Sequence, residues 1–183
     1  MNERRSGKTG LTEKAIKAAF LKLLDEKPFA RITVRDITDE CGITRNSFYY
    51  HYHDIPQLME QIAQDQTNSL IESYPDIRSL DECVEVAFHF IIDNRRAINH
   101  IYHSLNREVF EQYLMKICDY LVTTWFRSAF ADVTGREDPE MKIRFIRYEL
   151  FGACIDWMNQ GMPPGVKEEA KKLLEICQGL LGR

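Results

Sequence analysis

With 183 residues, 44% of them apolar, and a formal charge of −4, the chain has the makings of a soluble globular protein with ample material for a core. No apolar run approaches the roughly 18 residues of a membrane span, and the polar, basic stretch from Met1 to Gly10 lacks the apolar heart of a secretory signal. The five cysteines (Cys41, Cys83, Cys118, Cys154, Cys177) form no C-x-x-C pair and their odd number frames no disulfide scaffold, so a reducing, cytoplasmic location is expected.

Helical periodicity runs from end to end, Gly and Pro fall between periodic segments, and no strand-like alternation persists. The first helix is expected from Thr12 as N-cap to about Glu26, burying Ile16, Ala19, Phe20, Leu23 and Leu24, with Pro28 ending it. Thr33 caps a short second helix that turns Val34, Ile37 and Cys41 inward, and Gly42 suits the positive φ at its end. Thr44 caps a third helix through about His51. Asp54 opens a fourth, with Pro56 in its first turn and Gln57 completing a capping-box pattern. Ser79 with Glu82 is a second capping box, opening a helix to about Asn94. A short helix follows from Arg95 to His103, then a long one from about Arg107 to Phe130. Asp138-Pro139 starts another to Asn159, closed by Gly161, and the last spans about Val166 to Leu181. The sharp turn from Gly161 to Gly165 makes those two antiparallel neighbours. The sum is an all-α fold of about nine helices.

Two short helices around Gly42 have the geometry of a helix-turn-helix, which lays its second helix in a DNA major groove. At 100° per residue, Ser47, Phe48 and Tyr52 fall on the core side with Thr44, while Arg45, Asn46, Tyr49 and Tyr50 cluster outward. That outward face holds a bidentate-capable Arg, an Asn able to read adenine and two phenols. Tyr52 reads as an ordinary packing aromatic; two exposed tyrosines on a short polar helix call for a partner surface. Charge is compatible. Residues 1–60 hold ten Lys or Arg and nine Asp or Glu, the remainder fourteen and nineteen, so the first third is the more positive part.

From Thr12 to about Leu70 the chain resembles the TetR family of bacterial transcription regulators. The likeness lies in Thr33-Val34-Arg35-Asp36-Ile37, Cys41-Gly42-Ile43-Thr44, Phe48-Tyr49-Tyr50-His51-Tyr52 and Leu58. The resemblance implies a three-helix DNA-binding domain over 10–70, with its helix-turn-helix at 33–52. A helical ligand-binding and dimerisation domain follows over 71–183. It implies that Arg45, Asn46 and Ser47 approach base edges and that Tyr49, Tyr50 and His51 meet phosphates or bases. Arg35 matches a position some members use on DNA, and Thr33 and Thr44 match helix-capping hydroxyls near phosphate. Two positions depart from the pattern. Tyr52 stands where Phe is usual, and Ile55 stands where a phosphate-binding Lys is common, followed by Pro56.

In the helix over 139–159, Ile143, Ile146, Leu150, Cys154 and Trp157 form one apolar stripe. Phe145, Tyr148, Gly152, Ile155 and Met158 form a second, roughly 160° away. A helix apolar on two opposed faces buries both, either at the centre of one core or against a partner. TetR-like proteins dimerise through their last two helices. The resemblance therefore assigns Phe145, Tyr148, Gly152, Ile155, Met158, Leu173, Cys177 and Leu180 to a homodimer interface, which would set two recognition helices on half-sites about 34–36 Å or more apart. The comparable middle helices of the family enclose an effector. His89, His103, Phe110, Tyr113 and Trp125 are the candidates here for an unknown small molecule, against a reading of these aromatics as plain core. The C-terminal half has a faint likeness to regulators of dihydroxyacetone-kinase operons, which names no ligand.

His100 and His103 stand at i, i+3 without an acidic or Cys ligand beside them in sequence, so no metal is expected, and the Arg95-Arg96 pair reads as solvated. No nucleophile elbow, phosphate loop, zincin helix or dinucleotide fingerprint appears, so neither enzyme nor cofactor is expected. The leading expectation is a ligand-responsive repressor, a homodimer on a palindromic operator in double-stranded DNA. The alternative is a TetR-like co-regulator working mainly through protein contacts, with DNA binding weakened or lost.

Overall fold

The computed structural model describes residues 3–104, 107–129, 139–163 and 166–181, without the side chains of 3–9, 166–167, 174, 177–178 and 180–181. Among the described residues all regular structure is helical. Nine α-helices follow in order: α1 (Glu3–Glu26), α2 (Val34–Cys41), α3 (Arg45–His51), α4 (Ile55–Ser73), α5 (Leu80–Asp93), α6 (Arg95–Tyr102), α7 (Arg107–Ala129), α8 (Pro139–Asn159) and α9 (Val166–Leu181). A single 3-10 turn, Phe29–Arg31, lies between α1 and α2.

The start of α1 differs from expectation. It begins at Glu3, so Thr12 lies inside the helix and is not its N-cap. Gly7 and Gly10 weaken an exposed helix by about 1 kcal/mol each but do not break it, and Glu3-Arg4-Arg5 and Lys8 are good helix formers. Phe130 and Asp138, expected at the ends of α7 and α8, lie outside the described residues.

The chain forms two compact units, and neither is one continuous stretch. Unit 1 comprises Met1–Gln66 with Arg95–Phe110; unit 2 comprises Thr67–Asn94 with Glu111–Arg183. The tail of α4 thus belongs to unit 2 and α6 belongs to unit 1.

In unit 1, Ile16, Phe20 and Leu24 of α1 meet Ile37 of α2, Phe48 of α3 and Leu58 of α4, all fully buried. Ala97 of α6 joins that core, and His100 Nδ1 meets the Leu24 carbonyl. This carbonyl is among the last four of α1, which have no partner inside their own helix. In unit 2, Cys83, Phe88 and Ile91 of α5, Leu114, Ile117, Cys118 and Leu121 of α7, and Ile146, Leu150 and Cys154 of α8 are buried together with Trp157. Trp157 stacks on Phe88 at 4.9 Å. Helix α8 ends as a Schellman turn: Met162 N–H returns to Trp157 O and Gly161 N–H to Met158 O, with Gly161 at φ +79°. Among the described residues no helix is long and apolar enough to cross a membrane.

Candidate nucleic-acid interface

The interface is built from the caps upward. Thr33 begins α2 with a reciprocal capping box: its hydroxyl accepts from Asp36 N–H while the Asp36 carboxylate accepts from Thr33 N–H at 2.8 Å. The Thr33 hydroxyl donates to that carboxylate at 2.7 Å and Lys27 stands 3.0 Å from it. These contacts hold the Asp36 carboxyl down to about 2, with the Thr33 hydroxyl the largest cause, then Lys27, then the Thr33 backbone. At the other end the N–H groups of Gly42 and Ile43 both return to the Thr38 carbonyl. That turn needs Gly42 at φ +68°, a left-handed backbone that costs an L side chain about 1–2 kcal/mol. Thr44 then caps α3 by accepting from Ser47 N–H at 3.2 Å.

Seven residues of helix separate two environments. Phe48 is fully buried, whereas Tyr49 is 56% and Tyr50 77% exposed. Arg45, Asn46 and Thr44 are exposed beside them, and His51 is half-buried with its ring edge on Tyr50 at 5.2 Å. Tyr49 lies edge-on to Phe48 at 5.5 Å, so its ring is propped outward by the core. Ser47 is half-buried and its hydroxyl is 3.0 Å from that of Thr44, which puts it at the helix start, off the outward face. Arg35 is exposed on α2 and holds Asp39 loosely at 3.4 Å. Such a surface pair is worth little.

The start of α4 borders this surface. Asp54 accepts from Gln57 N–H at 2.8 Å, and Gln57 reaches back to His53 N–H at 2.6 Å, one residue before the usual capping-box donor. The Gln57 backbone and then His53 hold the Asp54 carboxyl below the ordinary carboxylate range. Ile55 packs half-buried against the unit 1 core, so no cation stands there.

Three groups escaped the sequence reading. Lys17 of α1 bridges Glu13 at 2.6 Å and Asp65 of α4 at 2.7 Å. Burial opposes its charge most strongly, but the hydrogen bonds to Asp65 and Glu13 outweigh it and raise the Lys17 pKa. The Glu13–Lys17 spacing of four was visible in sequence; Asp65, 48 residues on, was not. Beside this cluster the Tyr52 hydroxyl is buried without a hydrogen-bond partner. Tyr120 of α7 reaches the carbonyls of Ile71 and Tyr74 at 3.2 and 2.9 Å.

The expected effector residues are divided between the two units. His103 and Phe110 lie in unit 1, and His89, Tyr113 and Trp125 in unit 2. His89 is exposed on α5 beside Glu85, whereas Tyr113 and Trp125 are buried. His100 and His103 engage different carbonyls, those of Leu24 and Asn99. Among the described residues no three potential metal ligands come together.

On α8, Ile146, Leu150, Cys154 and Trp157 are buried, while Phe145 is 47% and Tyr148 54% exposed, with Gly152 open beside them and Ile155 half-buried. Leu173 and Ile176 of α9 are exposed too. Met158 is a correction to the expected face. It is 1% exposed inside its own chain, so its side chain is already buried without a partner protomer. The side chains of Cys177 and Leu180 lie outside the described residues.

A capped helix-turn-helix with a polar, aromatic outward face, followed by an all-helical unit, defines a class of DNA-binding regulator. Comparison with known proteins gives the family. Residues 16–62 match the family described as bacterial regulatory proteins, tetR family, and residues 78–179, more than half of the chain, match the TetR-type transcriptional regulator C-terminal region. The chain belongs to the TetR family of transcription regulators. It is 25% identical over 188 residues to the HTH-type transcriptional repressor KstR2 of Rhodococcus jostii, covering 93% of this chain and 91% of that protein. It is 35% identical over 103 residues to the uncharacterized HTH-type transcriptional regulator YxbF of Bacillus subtilis, covering 53% of this chain but only 27% of that longer protein. The solved structure of the dihydroxyacetone kinase operon activator DhaS shares the fold, with TM-score 0.70 and 17% identity over 92% of this chain and 95% of that one.

Proposed function

We infer that this TetR-family regulator is a ligand-responsive repressor that binds a palindromic operator as a homodimer. The observation that carries the DNA reading is the division of α3, with Phe48 fully buried and Arg45, Asn46, Tyr49 and Tyr50 turned out. In this reading residues 10–70 are the DNA-binding domain and 71–183 the effector and dimerisation domain. Arg45 and Asn46 read base edges. Tyr49, Tyr50 and His51 approach phosphates or bases, Arg35 reaches phosphate, and Thr33, Thr44 and Ser47 brace the two helix starts. Repression is supported by the likeness to KstR2, which runs nearly the whole length of both chains.

The homodimer is supported by the exposed Phe145, Tyr148 and Gly152 on α8 next to Leu173 and Ile176 on α9. An apolar face of that kind gains roughly 25 cal/mol per Å² when removed from water. For the effector, Tyr113 and Trp125 are the favoured wall residues, since they alone of the five candidates are buried in unit 2. Ile55, with no cation at the usual anchor, favours the second reading, a co-regulator acting through protein contacts.

Selection of bound duplexes from a random pool tests the two against each other. A repressor enriches an inverted repeat and binds it with a steep loss of affinity as salt rises. No sequence preference at moderate salt, together with a stable monomer, would overturn the proposal.

A further inference from the structure

His53 lies in the turn between α3 and α4, inside unit 1, and its side chain is 89% exposed. The turn is held from two sides. The His53 backbone N–H donates to Gln57 Oε1 at 2.6 Å, and the ring Nδ1 stands 3.2 Å from Asp54 Oδ2. The other Asp54 oxygen accepts from Gln57 N–H at 2.8 Å, so the start of α4 keeps the carboxylate beside the ring. Hydrogen bonds from the Gln57 backbone and from His53 hold the Asp54 carboxyl below the ordinary carboxylate range. An ionised carboxylate only accepts, so its ring partner Nδ1 carries a hydrogen. In a neutral ring that leaves Nε2 with a lone pair, and a lone pair has nothing to offer a phosphate oxygen. The imidazolium has a second N–H there, and can donate.

Charge points the same way. The first turn of α4, Ile55-Pro56-Gln57-Leu58, holds no cation, so Asp54 leaves this edge of the DNA face negative while His53 is neutral. Protonation of His53 cancels that charge. The other charged groups of the neighbouring elements are engaged elsewhere or lie apart. Lys17 and Glu13 of α1 and Asp65 of α4 gather around Tyr52, with Lys17 bonded to both carboxylates. On α3, His51 is half-buried with its ring edge on Tyr50, and Arg45 is exposed at the opposite end of the helix.

We propose that His53, as its imidazolium, is a phosphate contact of this surface, so that DNA binding takes up a proton at each His53. The inference rests on the DNA-binding role of unit 1. Histidine ordinarily titrates near about pH 6.5, and a phosphate at Nε2 favours the charged form, so the bound state keeps its proton to higher pH. The contact is therefore complete below about pH 6 and fades as pH rises toward about 8.

The test measures fluorescence anisotropy on the duplex recovered from the random pool, at one salt concentration, from about pH 6 to about pH 8. Parent, His53→Gln, His53→Lys and His51→Gln are compared, with thermal melting at both ends of the range showing that each is folded. The parent should weaken about 3- to 10-fold per His53, or about 10- to 100-fold with both half-sites of a dimer filled. His53→Gln should bind at every pH about as weakly as the parent at the alkaline end. His53→Lys, charged throughout, should bind at every pH about as tightly as the parent at the acid end, and His51→Gln should keep the parent's pH dependence. A His53→Gln protein that retains the parent's pH dependence overturns the proposal. So does a His53→Lys protein as weak as His53→Gln, or a pH dependence that disappears with His51→Gln instead. If the parent prefers no duplex at any pH, the DNA-binding reading falls and this inference with it; if the parent binds its duplex with an affinity indifferent to pH, only this inference falls.

Discussion

Tyr52→Phe should stabilise the protein. Tyr52 closes the unit 1 core with its ring 5.9 Å from that of Phe48, and its hydroxyl is buried with no hydrogen-bond partner. The Lys17 ammonium pulls on that oxygen both through its charge and through a hydrogen-bonding approach too loose to count as a full bond, and its short contacts are to Glu13 and Asp65. A buried hydroxyl left unpaired costs about 1–3 kcal/mol, and the nearby ammonium softens this. Removing the oxygen is therefore expected to gain about 0.5–1.5 kcal/mol, after a small loss of packing around it. That corresponds to a rise in melting temperature of roughly 1–5 °C for a chain of this size.

A pH series gives an independent reading. Burial, against the opposing pull of Lys17, pushes the Tyr52 phenol from its ordinary value near 10 up to about 12. The unfolded chain ionises first. The folded state keeps the full benefit of a neutral Tyr52 below pH 10 and loses it as pH rises through about 12. The stability gap between the Tyr52→Phe variant and the parent should widen over that range, measured by urea unfolding at about pH 8 and about pH 10.5. A Tyr52→Phe protein less stable than the parent by about 1 kcal/mol or more, with a gap indifferent to pH, would refute the reasoning.

Asp36→Ala should weaken the start of α2. The Asp36 carboxyl is held down to about 2, so its contribution is complete above about pH 4 and disappears as pH falls toward 2; melting curves of parent and variant should converge there. Arg45→Ala should reduce affinity for the selected duplex about 5- to 150-fold with little change against unrelated DNA, read by fluorescence anisotropy. Equal losses on both duplexes would reassign Arg45 to phosphate. Phe145→Glu places a charge on the exposed face of α8, so sedimentation should find a monomer that keeps the parent's helical circular dichroism. An unchanged dimer would move the interface elsewhere.

Much of this protein was legible one residue at a time. The helix-turn-helix rests on local rules. Thr33 and Asp36 close a box three residues apart, Gly42 alone tolerates φ +68° without strain, and Phe48 needs only a period of 3.6 to face inward while Tyr49 and Tyr50 face out. The two faces of α8 were visible for the same reason, and one is buried and the other open. Local rules also set the errors. Thr12 looked like a cap because polar glycine-containing sequence precedes it, yet nothing in Glu3 to Leu11 stops a helix. Met158 has the spacing of the open face, but it is buried within its own chain.

Sequence alone therefore determined the succession of helices, the caps at Thr33, Thr44, Asp54 and Ser79, and the polar face of α3, since each depends on residues within about one or two turns. Only tertiary structure decided that α6 joins unit 1, that α4 is shared by both units, and that Lys17 meets Asp65 and Tyr120 meets the end of α4. Those pairings span 46 to 49 residues, beyond the reach of any helical period. They exist because burying apolar stripes fixes the helix packing, and polar side chains then meet whichever partners that packing sets beside them.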